Sequence, residues 1–214
     1  MASGRRPPRL VVATRSSHKL AELETLLDVA KAELVTLRDL GVEGDVDETG
    51  STFEANARLK ARFAARATGL PALADDSGIE VEALGGAPGV RTRRYAGEDA
   101  TDAQNNAKLL AALDGVTAER RGARYVCVLA LALPDDRGPR GGLAVTTVRG
   151  TCRGRIATSS RGSSGFGYDP IFEPRSEPPG GRTLGEWSPE EKNAISHRAR
   201  AARRMSPILR RQGF

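Results

Sequence analysis

The sequence predicts an α/β protein built on a mixed sheet. Three observations carry that prediction. In the first half, apolar strand-like runs alternate with segments of helical periodicity. In the second half, two long strand-like runs follow one another across a turn. The first of these runs, residues 124–133, RYVCVLALAL, is too continuously apolar for a sheet edge and reads as a central strand.

The elements follow in order. Residues 9–14, RLVVAT, read as a buried strand, and residues 19–34, KLAELETLLDVAKAEL, put Leu20, Leu23, Leu27 and Ala30 at helical spacing. The intervening RSSH gives a strand, polar loop and helix start, an arrangement that offers backbone N–H groups to an anion. Residues 51–68 form a second helix, with Ser51 and Glu54 as a capping box and Gly69-Leu70-Pro71 as its stop. PALADDSGIEVEAL is a strand with a polar notch, and GGAPGV at 85–90 is a turn-rich loop. Residues 101–113 form a third helix opened by a Thr101/Gln104 capping box. After 124–133, PDDRGPRGG is a turn, and LAVTTVRGTCRGRIA returns as one or two strands able to close a hairpin. Residues 159–172 are a Gly- and Ser-rich loop opening into a short apolar segment, and EPRSEPPGGR is a flexible surface loop. Ser188 as N-cap, Pro189 at N1 and Glu191 at N3 start a helix, and Ser196 caps another running to about residue 210.

The 214 residues suit a single two-lobed domain with a sizeable core, residues 1–8 being expected to be disordered. Hydrophobic content of 39% and charged content of 28% describe a soluble globular chain. No apolar run approaches the ~20 residues of a membrane span, and the N-terminus lacks an apolar signal core, so a cytoplasmic protein is expected. Cys127 and Cys152 are too few for a disulfide framework and read as buried reduced thiols. The net charge of +6 invites a nucleic-acid reading, but 28 of the 33 basic residues are Arg in an Ala-rich chain, a composition bias. Aromatics at 4% leave few stacking platforms for single strands. Positive charge equally suits a phosphate-rich small ligand.

Several constellations carry chemistry. TRSSHK at 14–19 sets hydroxyls, Arg15 and Lys19 at a helix N-terminus, an anion-binding layout, with an ordinary serine-capped turn as the alternative. Asn56 and Lys60 share a helix face and read as a solvated polar stripe. In ALADDSGIEV at 72–81, Asp75 and Asp76 interrupt an apolar strand, where a carboxylate needs a partner or a metal. Adjacent strand residues face opposite ways, so the two do not serve one ligand. One braces the local structure and the other reaches a hard cation such as Mg²⁺, which takes one or two carboxylates plus substrate phosphates. A second carboxylate is available at Asp47 or Glu48. GFGYDP at 165–170 flanks Phe166 with glycines, leaving its face open to a ring, with Asp169 near ring nitrogens; a turn around a buried Phe is the alternative. EKNAISHR at 191–198 gathers Lys192, Ser196, His197 and Arg198, donors suited to carbonyl oxygens.

TGSTFEANARLKA, LPALADDSGIEVEALGGAPGVRTRRYAGEDATD, GFGYDPIF and EEKNAISHR together resemble the noncanonical purine nucleoside triphosphate pyrophosphatases, the inosine/xanthosine triphosphatase (dITP/XTP pyrophosphatase) family, from Leu10 to about Met205. The resemblance implies a two-lobed α/β fold with a long mixed central sheet flanked by helices, the active-site cleft between the lobes, and a homodimer. It implies Mg²⁺-dependent hydrolysis of ITP, dITP and XTP to the monophosphate and pyrophosphate, removing these nucleotides from the pool. By motif, Asp76 is similar to the general base and metal-linked carboxylate, and Glu48 to the other metal-site acid. Ser77 resembles a substrate contact. Thr14, Arg15, Ser16, Ser17, His18 and Lys19 resemble the triphosphate loop. Phe166, Gly167, Tyr168 and Asp169 resemble the base-and-sugar platform. Lys192, His197 and Arg198 resemble further substrate contacts, the last two near the 6-keto edge. The chain departs from the family at its first loop, typically T-G-N-x-G-K, where both glycines and the asparagine are replaced. It departs again at Gly185-Glu186-Trp187, where A-E-L is usual. Two other readings remain: a Maf-like pyrophosphatase of other specificity, and a catalytically inactive nucleic-acid-binding relative; no stable nucleic-acid partner is expected.

Overall fold

The computed structural model describes residues 7–29, 31–44, 46–135 and 142–214. Most of the expectation for residues 1–8, and residues 136–141 of the turn expected at 134–142, lie outside these described residues, as does Ala30; residues 134, 135 and 142 belong to the flanking strands.

The first strand, β1, is Arg9–Ala13, buried from Leu10 onward. Helix α1 is Ser17–Leu26, capped by the Ser16 hydroxyl, which accepts from the Lys19 amide at 3.3 Å. The helix expected over 19–34 stops at Leu26, and Leu27 is already extended. Glu33–Thr36 is instead a strand, β2, pairing in parallel with β1 from Arg9↔Glu33 to Val12↔Thr36. Helical spacing is a weak prior, and a ladder along the free edge of β1 satisfies the backbone of ELVT better than a frayed last turn.

Helix α2, Phe53–Thr68, begins one residue later than the sequence indicates. Thr52, not Ser51, is the N-cap, accepting from the Ala55 amide at 3.1 Å. Glu54 pairs with Arg58 at 2.9 Å rather than completing a capping box. Gly69, at φ +67°, ends the helix in the left-handed region glycine enters without penalty. Ala57, Ala61, Ala64 and Ala65 form its buried stripe, small side chains that let the helix lie close.

Strand β3, Ala72–Val81, is the whole of ALADDSGIEV, buried at every position but Glu80. It pairs in parallel with β1 through Val11↔Ala72 and Ala13↔Ala74. Helix α3, Asp102–Ala112, has the expected Thr101/Gln104 capping box. Strands β4, Gly122–Asp135, and β5, Gly142–Ile156, follow. The apolar segment after the Gly-rich loop is a short strand, β6, Phe172–Pro174, antiparallel to β5. Helix α4, Pro189–Ile195, carries the expected Ser188/Glu191 capping box, and α5, His197–Arg211, follows Ser196, whose hydroxyl accepts from the Ala199 amide.

The sheet is mixed, in the order β2-β1-β3-β4-β5-β6, with helices flanking it. The chain divides into two compact units, one of residues 1–76, 128–149 and 201–214, the other of residues 77–127 and 150–200. β3, β4, β5 and α5 each run from one unit into the other. In the second unit, Ile79, Val81, Leu109, Leu113, Tyr125, Ile156, Tyr168, Phe172 and Trp187 share one core. Cys127 and Cys152 are buried free thiols; burial pushes the Cys152 thiol up to about 11, which keeps it protonated and inert. No helix among the described residues is long and apolar enough to cross a membrane.

Candidate active site

In the first unit, the two adjacent aspartates of β3 have separate partners. The Asp75 side chain is fully buried, and its Oδ1 lies 2.5 Å from Lys19 Nζ at the start of α1. Asp76 Oδ1 lies 2.8 Å from Lys60 Nζ in the middle of α2. The alternation of a strand separates the two carboxylates, and each gains its own ammonium. Lys60 is therefore not part of a solvated stripe: its side chain is 13% exposed, and it also reaches Glu48 Oε1 at 3.2 Å. Asn56, one turn earlier, is buried, and its Oδ1 accepts from the Gly50 amide at 2.8 Å. A Cβ on Gly50 would stand 2.5 Å from that oxygen, so this close approach requires glycine. Asn56 thereby ties the segment carrying Glu48 to the helix carrying Lys60.

The electrostatics follow from these contacts. Burial raises Asp76 above the usual carboxylate range; Lys60, and more weakly Lys19, pull it back without cancelling the rise, and Glu48 adds to it. For Lys60, burial pulls the ammonium down, but Asp76, Glu48 and Asp75 together outweigh it and the net direction is up. Asp76 Oδ2 is buried and has no hydrogen-bond partner among the described residues. Such an oxygen is a costly thing to leave unmatched. Two carboxylates held by one ammonium, one with a spare buried oxygen, make a hard-oxygen donor set that fits a divalent cation completed by phosphate oxygens. Among the described residues no group of three or more acidic, His or Cys side chains forms an all-protein metal cage.

The loop at 14–19 is built without left-handed backbone, since no described non-glycine residue has positive φ. Thr14 Oγ1 accepts from the Ser16 amide, Ser16 caps α1, and Arg15 donates to the Gly44 carbonyl. Ser17 and His18 are the exposed first residues of α1, and Lys19 turns inward to Asp75.

In the second unit, Asp169 is the hub. It is buried, its Oδ2 accepts from the Phe166 amide at 3.0 Å and from Lys192 Nζ at 2.7 Å, and its Oδ1 accepts from the Tyr125 hydroxyl at 3.2 Å. Gly165, at φ +76°, passes so close that a Cβ there would meet Asp169 Oδ2 at 2.2 Å. The partly exposed Phe166 ring has Lys192 Nζ 4.5 Å and the Arg198 guanidinium 5.7 Å from its centre. Arg198 is fully buried and donates to Ser77 Oγ at 2.9 Å. His197 stacks on Tyr125, with ring centres 4.6 Å apart and planes 7° from parallel. Both backbone groups of Gly167 are held by α3: its amide donates to Asp102 Oδ2 at 2.6 Å and its carbonyl accepts from Asn106 Nδ2 at 3.0 Å. Tyr168 is buried in the core, where its hydroxyl donates to the Thr92 carbonyl at 2.7 Å; burial raises that phenol.

The structure thus gathers Phe166, Gly167, Asp169, Lys192, His197 and Arg198 around one hub, with Ser77 on Arg198, while Tyr168 turns its ring into the core. Sequence reasoning set Asn56 and Lys60 aside as a solvated stripe and missed Asp102, Asn106 and Tyr125. Asp102 and Asn106 are one helical turn apart, a spacing visible in the sequence; Tyr125 carried no signal beyond being a strand aromatic. Trp187, at the departure from A-E-L, packs in the core and donates from Nε1 to Glu177 Oε1 at 3.2 Å, with the Arg182 guanidinium 5.3 Å from its ring. Arg182 in turn pairs with Glu177 and Glu191, so Trp187 pins a segment that reads from sequence as a flexible loop.

Residues 10–208 match the model of the Ham1 family. The chain belongs to the Ham1 family. Among its relatives, the dITP/XTP pyrophosphatase of Syntrophobacter fumaroxidans is 52% identical over 90% of this chain and 78% of its own. That of Nocardia farcinica is 47% identical over 94% of each. Among solved structures, a Ham1 protein from Coxiella burnetii superposes with a TM-score of 0.83 at 45% identity, covering 95% of this chain and 99% of its own. The fold described above is accordingly the Ham1 fold.

Proposed function

We propose that this chain hydrolyses noncanonical purine nucleoside triphosphates, ITP, dITP and XTP, to the monophosphate and pyrophosphate. One observation carries the reading: the near full-length match to Ham1 relatives named dITP/XTP pyrophosphatase, in a chain whose β3 carries a buried, elevated carboxylate with an unmatched oxygen. The protein works as a single two-lobed domain and a cytoplasmic homodimer, as the family resemblance implies.

Asp76 is the general base, accepting a proton from the attacking water; an elevated pKa suits a base better than that of an ordinary surface carboxylate. Asp76 and Glu48 would hold Mg²⁺, which supplies charge neutralisation on the phosphate oxygens. Lys60 holds both carboxylates in place and favours the charged form of Asp76 against the rise that burial causes. Thr14, Arg15, Ser16, Ser17, His18 and Lys19 bind the triphosphate, where the amides at the start of α1 and the Lys19 ammonium favour negative charge. Phe166 offers its face to the base, Gly167 and Tyr168 shape the platform beneath it, and Asp169 and Lys192 set its position. His197, Arg198 and Ser77 read the 6-oxygen. A keto oxygen accepts from these donors, whereas the amino hydrogens of adenine leave them unmatched, a penalty that separates the two bases.

The test is turnover of ITP, XTP, GTP and ATP with Mg²⁺, products separated by chromatography. The expected products are IMP or XMP with intact pyrophosphate, and ATP is spared. Stepwise release of phosphate, or no turnover of ITP and XTP, would overturn the reading.

A further inference from the structure

Tyr125 lies on β4, in none of the motifs that point to the site. It is 6% exposed and sits at the meeting of three side chains. Its hydroxyl donates to Asp169 Oδ1, while the Phe166 amide and Lys192 Nζ donate to Oδ2. One face of its ring stacks on His197 at 4.6 Å, nearly parallel, and Phe172 packs against it at 4.8 Å with planes 55° apart. Packing alone asks only for an aromatic ring here. A phenylalanine would fill the core and stack on the imidazole equally well. The hydroxyl is the part that packing does not explain. A carboxylate held through one oxygen swings about its Cβ–Cγ bond; one held through both is fixed in plane and position. The same ring, anchored by that hydroxyl, sets the plane of His197.

We propose that Tyr125 is a positioning residue for base recognition: its hydroxyl locks the Asp169 carboxylate, and its anchored ring sets the orientation of His197. The inference rests on the purine-pyrophosphatase reading and deepens it, since one buried side chain then holds the platform and the 6-oxygen reader in mutual register. Asp169 with Lys192 orients Phe166, and Tyr125 makes His197 follow.

The test compares wild type, Tyr125→Phe, Tyr125→Leu and, as a stability control, Trp187→Phe, which perturbs the same core without touching Asp169. Kinetics are measured on ITP and ATP well below each Tm. Wild-type turnover of ITP is scored first and by itself decides the reading on which the proposal rests. Tyr125→Phe, which removes the phenolic hydrogen bond from a buried carboxylate, is expected to raise KM for ITP about three- to ten-fold with kcat within about twofold, the pattern of lost binding common to ground and transition states. Tyr125→Leu is expected to raise KM further and to narrow the ITP-to-ATP preference about ten-fold. Trp187→Phe is expected to lower Tm and leave both ratios alone. A second readout does not depend on turnover. His197 is one of only two histidines, so its imidazole signals are assignable by NMR. Loss of the stacked phenol in Tyr125→Leu is expected to move them toward those of the exposed His18. Wild-type KM and selectivity in Tyr125→Phe, or His197 signals unmoved in Tyr125→Leu, would overturn the proposal. A Trp187→Phe protein that shifts KM as Tyr125→Phe does would overturn it too, because the effect would then be one of core stability.

Discussion

Replacing Lys60 by Met removes the ammonium and keeps the length and helical preference of the side chain. At 2.8 Å and an effective dielectric near 20, the attraction between Lys60 and Asp76 is at most about 6 kcal/mol. The side chains are only 13% and 9% exposed, so little solvent replaces the lost partner. The lysine's own burial penalty disappears, and methionine packs in its place. Breaking one side of a buried pair typically costs ~3–5 kcal/mol, and the lower end applies here because Lys19 still acts on Asp76. The expected loss is about 3 kcal/mol, or about 6–12 °C in Tm for a chain of this size. The loss depends on pH with a definite sign. Asp76 is raised in the folded protein, so the folded state holds its proton longer than the unfolded one and stability declines as pH rises from the unfolded value through the folded one. Lys60 is raised too, and its stabilisation persists until pH passes its folded value, above 10.5. Removing Lys60 lifts Asp76 further and extends the declining window upward, so the variant's deficit is larger at pH 8 than at pH 5, where the acid can take up a proton. Urea unfolding of wild type, Lys60→Met and Lys60→Met/Asp76→Asn at both pH values measures it. The double variant, which has no carboxylate left to strand, is expected to recover most of the loss. A deficit below about 1 kcal/mol at pH 8, or one that is equal at the two pH values, would refute the reasoning.

Two further substitutions probe the two constellations separately. Asp76→Asn keeps an acceptor for Lys60 while removing the proposed base, so the fold, read by circular dichroism, is expected to stay and kcat on ITP to fall at least ~100-fold; a folded variant with near wild-type turnover would remove Asp76 from its role. Gly165→Ala puts a Cβ 2.2 Å from Asp169 Oδ2 at a left-handed φ of +76°, which costs ~1–2 kcal/mol in backbone strain alone and pushes the carboxylate aside; KM for ITP is expected to rise several-fold, and an unchanged KM would mean that Asp169 does not order the platform.

The elements that were legible in the sequence are those whose signals are local. Gly69 at the end of α2, the Thr101 and Ser188 capping boxes, and Pro189 at N1 depend on neighbours a few residues away, and all form as the residues indicate. β2 did not show, because ELVT becomes a strand only when β1 offers an edge; Leu27 continued a helical spacing past the point where the helix ends. The same division runs through the candidate site. Asp76, Phe166, Asp169 and Lys192 stand in runs whose residue types announce chemistry. Lys60 sits in an ordinary Arg- and Ala-rich helix, and nothing in ARLKAR says that its ammonium meets two carboxylates while Arg62, two residues on, stays exposed. Tyr125 was less visible still, because a tyrosine in an apolar strand is a common core residue until Asp169 arrives at its hydroxyl from 44 positions away.

The altered first loop shows why a missing motif residue need not mean a missing structure. Glycines earn a place in a loop where the backbone must enter the left-handed region. Here Ser16 sits in the extended region, φ −81° and ψ 114°, and its hydroxyl supplies the cap that starts α1. His18, at one of the replaced glycines, is inside the first turn of that helix, where glycine would loosen the backbone by ~0.5–1 kcal/mol. Arg15, at the other, spends its side chain on the Gly44 carbonyl and so ties the loop to the segment leading toward Glu48. The loop has exchanged glycine's freedom for a cap and a cross-tie. Lys19 then follows from the helix that this cap starts, and it is the helix, not the glycines, that aims its ammonium at Asp75.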